Sequence, residues 1–219
     1  MIRAVLFDLD GTLTDTLGDI ASAMNRALSL HGLPMWEKEA YRYLVGDGAK
    51  VLAQRAVREH TELAEAVRRD YQAYYEQHAL DTSRPYPGIP ELLHTLSAQG
   101  LKLCIFSNKP HADTCHVVAH FFPEISFAEV RGQVEGTPVK PDPAGALAIA
   151  NSLRLAPSAF LYLGDTATDM RCAVRAGMHP TGVLWGFREA DELWAAGAEQ
   201  VIAQPEEALQ LIRSKPLSA

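Results

Sequence analysis

The sequence predicts an α/β protein: a parallel sheet covered by helices on both faces, interrupted after its first strand by a block made only of helices. Three observations lead there. An apolar run of strand formers, Ile2 to Phe7, ends abruptly in Asp8-Leu9-Asp10-Gly11-Thr12. From about Leu17 to Leu80 the apolar residues recur at helical spacing and no strand stands out. After Pro85-Tyr86-Pro87-Gly88, short apolar runs alternate with helical segments, which is the pattern of βαβ units and so of a parallel sheet.

Each element has its own reason. In the helical block, Leu17, Ile20, Ala21, Met24, Ala27 and Leu28 share one helix face, and Gly32 followed by Pro34 supplies a stop. Further helices are predicted over Glu37–Val45, Ala49–Glu59 and Glu62–His78. Beyond the block, the pattern predicts helix Ile89–Gln99 closed by Gly100, strand Leu101–Phe106, helix Asp113–Phe122 and a strand near Phe127–Arg131. Helix Pro143–Leu153, strand Phe160–Leu163, helix Thr168–Ala176 stopped by Gly177, strand Gly182–Trp185 and a helical tail complete the chain. The predicted division is residues 1–15 and 85–219 for the α/β core and 16–84 for the inserted helices.

Bulk properties set outer limits. With 219 residues, 47% hydrophobic and 21% charged, the chain suits a globular core with an inserted module. A net charge of −7 argues against a broad nucleic-acid footprint, though not against a small anionic substrate at a locally positive site. No apolar run approaches the ~20 residues needed to span a bilayer, and Ala4 to Phe7 is too short for a signal-peptide core. The expectation is a soluble cytoplasmic protein with no nucleic-acid or membrane partner. Cys104, Cys115 and Cys172 form no CxxC pair and read as reduced thiols.

The chemistry concentrates where strands are predicted to end. In an open parallel sheet, ligands bind outside the carboxyl ends of the strands. Asp8 and Asp10 at such an end can hold a hard cation through oxygen. A hairpin is the plain alternative, since Asp-Gly favours tight turns, but a helical segment follows. An EF-hand fails because its required glycine position is Leu13. Strand Leu101–Phe106 leads into Ser107-Asn108-Lys109, which offers a hydroxyl, an amide and backbone N–H groups to phosphate oxygens. Strand Phe160–Leu163 leads into Gly164-Asp165-Thr166-Ala167-Thr168-Asp169, a second carboxylate pair. Between them, Lys140-Pro141-Asp142-Pro143 sets one lysine before a helix start. Singly these read as a turn, an N-cap and a solvated charge; four together point to one crevice.

In order and spacing, Asp8-Leu9-Asp10-Gly11-Thr12, Ser107, Lys140 and Gly164–Asp169 resemble the four motifs of the haloacid dehalogenase superfamily over nearly the whole chain. The resemblance implies a Rossmann-like three-layer core with parallel sheet plus an inserted α-helical cap domain. It implies Mg²⁺-dependent hydrolysis of a small phosphate monoester, with Asp8 as nucleophile and Asp10 as general acid and base. Asp8, Asp165 and the Asp10 backbone carbonyl would hold Mg²⁺. Gly11, Thr12, Ser107, Asn108 and Lys140 would contact the substrate, Thr12 would orient Asp10, and Asp169 would support Lys140 or a metal-bound water.

Tyr43-Leu44-Val45-Gly46-Asp47-Gly48-Ala49 and Val139-Lys140-Pro141-Asp142-Pro143 look most like the phosphoglycolate phosphatases of that superfamily, which makes 2-phosphoglycolate the leading substrate. Tyr43, Gly48 and Lys50 are the candidate cap contacts, although Gly46 and Asp47 also read as an ordinary helix stop and cap. Tyr71, Tyr74 and Tyr75 read as packing residues. The alternatives are a phosphomutase similar to β-phosphoglucomutase and a non-catalytic binding or regulatory protein of the same fold. The expected partner is a small phosphorylated metabolite, and the expected state is monomer or homodimer.

Overall fold

In the computed structural model, which describes residues 1–214, the first strand, β1 (Ala4–Phe7), lies inside a six-stranded parallel sheet. All four of its residues are apolar and buried, as a strand covered on both faces requires. Their side chains alternate: Val5 and Phe7 join one hydrophobic cluster, Ala4 and Leu6 another, following the period of two along a strand. Each such Val, Leu or Phe contributes about 1.5–3 kcal/mol when fully buried.

After β1 the chain makes a short turn into β2 (Thr14–Asp15) and then four helices: α1 (Leu17–Leu30), α2 (Tyr41–Leu44), α3 (Ala49–Ala56) and α4 (Ala64–His78). It returns through β3 (Arg84–Pro85), which pairs antiparallel with β2. The helices enclose a second hydrophobic cluster that includes Met24, Leu28, Tyr41, Leu52, Val67 and Tyr75. The predicted helix Glu37–Val45 is instead a 3-10 turn followed by the single turn of α2. Residues Lys38–Ala40 bury nothing, so no apolar face sustains a longer helix. The two-residue strands β2 and β3 carry too few positions for an alternation to show.

The rest of the core is α5 (Ile89–Ala98), β4 (Lys102–Pro110), α6 (His111–Phe121), β5 (Glu129–Gln133), α7 (Ala144–Ser152), β6 (Phe160–Gly164), α8 (Ala167–Ala176), β7 (His179–Val183), α9 (Ala190–Ala195), β8 (Gln200–Ile202) and α10 (Glu207–Ser214). The sheet order is β5-β4-β1-β6-β7-β8. The chain builds outward from β1 to one edge, then crosses back and builds to the other. That doubly wound order leaves a crevice at the carboxyl end of β1, between β4 and β6. Helices α5, α6 and α10 pack on one face, α7 and α8 on the other.

Two predicted strands change shape, and the predicted helical tail gains a strand. β4 continues through Ser107, Asn108 and Lys109 rather than ending before them, because its pairing with β5 resumes at Pro110, opposite Gln133. β7 starts at His179 and ends at Val183 instead of covering Gly182–Trp185. The residues after it leave the sheet, and the Phe187 N–H donates to Asp165 Oδ2 at 2.8 Å. The tail contains β8, whose Gln200–Ile202 pairs with β7 on three residues only.

Candidate active site

Parallel pairing of β1 with β4 and β6 sets three strand ends side by side. Asp8 follows β1 directly, Asp165 follows β6, and Asp169 sits in the first turn of α8. One carboxylate oxygen from each of Asp8, Asp165 and Asp169 lies within 4.8 Å of the others. Lys140, from the loop before α7, bridges two of them, with Nζ 2.9 Å from Asp8 Oδ1 and 2.7 Å from Asp169 Oδ1. All four residues are buried.

Each member is held by local bonds. Asp169 forms a capping box with Thr166, taking Thr166 N at 3.1 Å and Thr166 Oγ1 at 2.6 Å on Oδ2. This leaves Oδ1 for Lys140. Asp165 accepts from Thr12 Oγ1 at 3.0 Å and from the Phe187 N–H. Asp8 Oδ1 takes the Leu9 N–H at 2.7 Å as well as Lys140. The three clustered carboxylates thus have a single ammonium beside them, bonded to Asp8 and Asp169 but not to Asp165. Burial, then Asp169, pushes the Asp8 carboxyl up to about 7 against the pull of Lys140. Burial, then Asp169 and Asp8, raises Asp165 well above the usual carboxylate range. Burial pulls Lys140 down, but Asp169 and Asp8 outweigh it and keep it charged. An oxygen-only donor set short of positive charge fits a hard divalent cation.

Asp10 stands apart from that group, with its Oδ1 bonded to Thr16 Oγ1 at 2.7 Å and its Oδ2 paired with Lys109 Nζ at 2.8 Å. The predicted partner Thr12 does not orient Asp10, because its hydroxyl is committed to Asp165 and its carbonyl to Trp185 Nε1. Nor does Gly11 offer its N–H to a ligand, since that group donates to Thr14 O at 2.8 Å. Gly11 adopts φ +83°, and a Cβ there would overlap Asp165 Oδ2. Its role is close approach of backbone to carboxylate. The Asn108 amide is also committed elsewhere: it accepts from Lys140 N at 2.8 Å and donates to Lys140 O and Gly46 O, both at 3.1 Å. Ser107 is different, as its Oγ accepts from Lys109 N at 3.2 Å and its own proton stays available.

A cavity of about 50 Å³ lies over Asp8, Asp10 and Ser107. Its roof comes from the inserted helices, including Ile20, Val45, Gly46, Gly48, Leu52, Tyr71 and Tyr75. Gly48 lines it, with φ +87° and a Cβ position 3.2 Å from Asn108 O. Tyr43 and Lys50, predicted as cap contacts, are exposed and absent from the wall. Tyr43 sits instead 5.4 Å from the Arg188 guanidinium. Tyr71 and Tyr75 line the cavity as well as packing. Asp47 does not cap α3 but receives Thr168 Oγ1 of the core at 2.6 Å and Arg55 at 2.6 Å. Arg42 donates to Gly186 O at 2.6 Å, and Arg188 donates to Val45 O at 3.0 Å.

Sequence reasoning missed Thr16, Lys109, Tyr75 and the loop Gly186–Arg188. Lys109 carried a signal, standing two residues after Ser107. The loop carried none, since its contacts are mainly backbone atoms.

The model of the haloacid dehalogenase-like hydrolase family matches residues 5–183. The chain is 32% identical over 213 residues to a phosphoglycolate phosphatase of Pseudomonas putida, covering 91% of this chain and 76% of that one. It is 30% identical to an N-acetylmuramic acid 6-phosphate phosphatase of Pseudomonas aeruginosa, over 96% of this chain and 95% of the other. The crystal structure of a predicted phosphoglycolate phosphatase from Haemophilus somnus superimposes with a TM-score of 0.89 at 28% identity, covering 96% and 97% of the two chains. The chain belongs to the haloacid dehalogenase-like hydrolase family. Within it, this is an enzyme of the phosphatase class, a phosphoric monoester hydrolase. Among the described residues, no helix is long and apolar enough to cross a membrane.

Proposed function

We propose that the chain hydrolyses a small phosphate monoester by way of an aspartyl-phosphate on Asp8, with 2-phosphoglycolate as the substrate. The observation that carries the reading is the cluster of Asp8, Asp165 and Asp169 around Lys140, beneath a cavity of only about 50 Å³. The choice of 2-phosphoglycolate among such esters is supported by the names of two relatives, both phosphoglycolate phosphatases.

Asp8 Oδ1 is occupied by the Leu9 N–H and Lys140, which leaves Oδ2 to attack phosphorus. As that bond forms, the bond from phosphorus to the alcohol oxygen breaks and its electron pair leaves with the oxygen. Asp10 gives that oxygen a proton. Water then attacks the phosphoryl group, Asp10 takes a proton from the water, and the bond to Asp8 breaks to release phosphate. Lys140 and the Ser107 hydroxyl offset the charge on the phosphoryl oxygens. Asp169 and Asn108 hold Lys140 and its loop in place. Asp8, Asp165 and the Asp10 carbonyl would hold Mg²⁺, which supplies positive charge against the phosphoryl oxygens and the carboxylates. The 16–84 block acts as the cap, closing the site against water. The physiological partner is thereby a small phosphorylated metabolite.

The test is phosphate release from a panel including 2-phosphoglycolate, small sugar phosphates and N-acetylmuramic acid 6-phosphate, with Mg²⁺ and with chelator. We expect 2-phosphoglycolate to give the highest kcat/KM, chelator to abolish turnover, and Asp8→Asn to lose at least 10³-fold while melting as a folded protein. Substantial turnover by Asp8→Asn would exclude the covalent route, and preference for another ester would reassign the substrate.

A further inference from the structure

Asp10 is gripped at both carboxylate oxygens, and one grip reaches into the cap. Thr16, where the chain leaves for α1, holds Oδ1. Lys109 on β4 holds Oδ2 and also donates to Tyr75 Oη on α4 at 2.9 Å. The Lys109 ammonium lies 4.6 Å from the centroid of the Tyr75 ring. Both residues are buried, so the ammonium must find its partners within the protein. The hydrolytic steps above use neither Lys109 nor Tyr75.

We propose that Tyr75 and Lys109 form a positioning relay that aims the Asp10 carboxyl at the leaving-group oxygen when the α4 face of the cap rests on the core. The inference rests on the general-acid role given to Asp10. An aspartate on a loop has several staggered side-chain states, and a catalytic group displaced by about 1 Å costs on the order of 10²-fold in rate. Two charge-oriented bonds, one at each oxygen, select one state. The ammonium that makes one of them is itself fixed by a hydroxyl from the other domain. Cap docking and acid placement are therefore one geometric event. Lys109 and Tyr75 are positioning residues and do not need to touch the substrate.

The experiment compares two small substrates of different leaving group. 2-Phosphoglycolate, or the alkyl phosphate turned over fastest in the panel, needs a proton on its leaving oxygen; acetyl phosphate releases acetate without one. Lys109→Met and Tyr75→Phe, which keeps the ring, are measured beside Asp10→Asn. The readouts are kcat/KM on each substrate and the inhibition constant of a non-hydrolysable phosphonate with the alkyl ester's skeleton. We expect kcat/KM on the alkyl ester to fall about 30–100-fold in Lys109→Met and about 5–10-fold in Tyr75→Phe. Loss on acetyl phosphate should be under threefold and the inhibition constant should move less than twofold. Adding Tyr75→Phe to Lys109→Met should cost little more, since both act through one contact. Should Lys109→Met fold poorly, Tyr75→Phe alone decides. Equal losses on the two substrates, or no loss in Tyr75→Phe, would overturn the relay, and so would a rise in the inhibition constant matching the rate loss, which would make Lys109 a substrate contact. If Asp10→Asn itself does not discriminate between the substrates, the acid role fails and the relay with it. If Asp10→Asn discriminates and the other two do not, the relay alone fails.

Discussion

Asp19 offers a test of how the two ends of the cap are joined. It lies buried in the first turn of α1, and its carboxylate accepts from the backbone N–H groups of Thr82 and Ser83 at 2.9 Å each. The Thr82 and Ser83 hydroxyls add bonds of 2.5 and 2.6 Å. The start of the cap is thereby tied to its last residues, beside the β2–β3 pairing. Asp19→Ala removes the acceptor of all four donors. Thr82 is exposed and can turn to water, but Ser83 is wholly buried and cannot. Two buried donors left unpaired cost about 1–3 kcal/mol each, and loss of a carboxylate at a helix N-terminus costs about 0.3–1 kcal/mol more.

A total near 3 kcal/mol should lower Tm by about 6–12 °C in a chain of this size. Burial works against the charge, but the Ser83 and Thr82 donors outweigh it and hold the Asp19 carboxyl below the usual range. A carboxyl depressed by folding adds stability that is full above its unfolded value of about 3.9 and is lost as pH falls through the folded value. Thermal unfolding of wild type and variant from pH 7 to pH 3.5 should show the full gap at neutral pH and a narrowing gap at the acid end. A loss under about 2 °C at pH 7, or a gap unchanged down to pH 3.5, would refute the clasp.

Two further predictions concern the site itself. With Asp8 raised to about 7 and Asp165 raised beside it, the metal-free fold binds protons more tightly than the unfolded chain, so it loses stability as pH rises from about 4 through 7. Mg²⁺ must displace those protons at low pH, so its stabilisation, read as a Tm rise over chelated protein, should be larger at pH 8 than at pH 5.5; an equal rise at both would remove these carboxylates from the metal site. Gly11→Ala would force a Cβ into Asp165 Oδ2 at φ +83° and should lower kcat/KM by on the order of 10²-fold, measured by phosphate release at saturating Mg²⁺; near-normal turnover would mean that the Asp165 position is uncritical.

What could be read from the sequence was what period and punctuation encode. β1, β6 and α8 appear close to their predicted limits because Ala4 to Phe7 and Phe160 to Leu163 are unbroken apolar runs, and Gly177 follows α8 directly. The Asp8, Lys140, Asp165 and Asp169 constellation was legible because each residue sits at or near an element end, where a parallel sheet converges. What failed was whatever depends on where a particular side chain turns. Thr12 and Thr16 are both threonines near Asp10 in sequence, and only packing decides that Thr16 reaches it. Tyr75 looks like packing because it is packed; its hydroxyl meets Lys109 only through the placement of α4 over β4. Tyr43 and Lys50 are exposed while Gly48, between them in sequence, lines the cavity wall, which the residue types alone do not indicate.

The central place of β1 also governs how the molecule is made. Ala4 pairs with Lys102 on one side and Phe160 on the other, so the strand that leads into Asp8 precedes both neighbours by a long stretch of chain and gains its second only once Phe160 has been made. Contacts of such long sequence separation form late and slowly. The helices of residues 17–78 pack chiefly on one another, α1 against α4 and α3 against α4, and can form while β1 still waits with its apolar face uncovered, exposed to aggregation. The cluster of Asp8, Asp165 and Asp169 therefore assembles only with closure of the β4-β1-β6 triplet, and a chain cut short before Phe160 would carry Asp8 and Asp10 without Asp165 and Asp169.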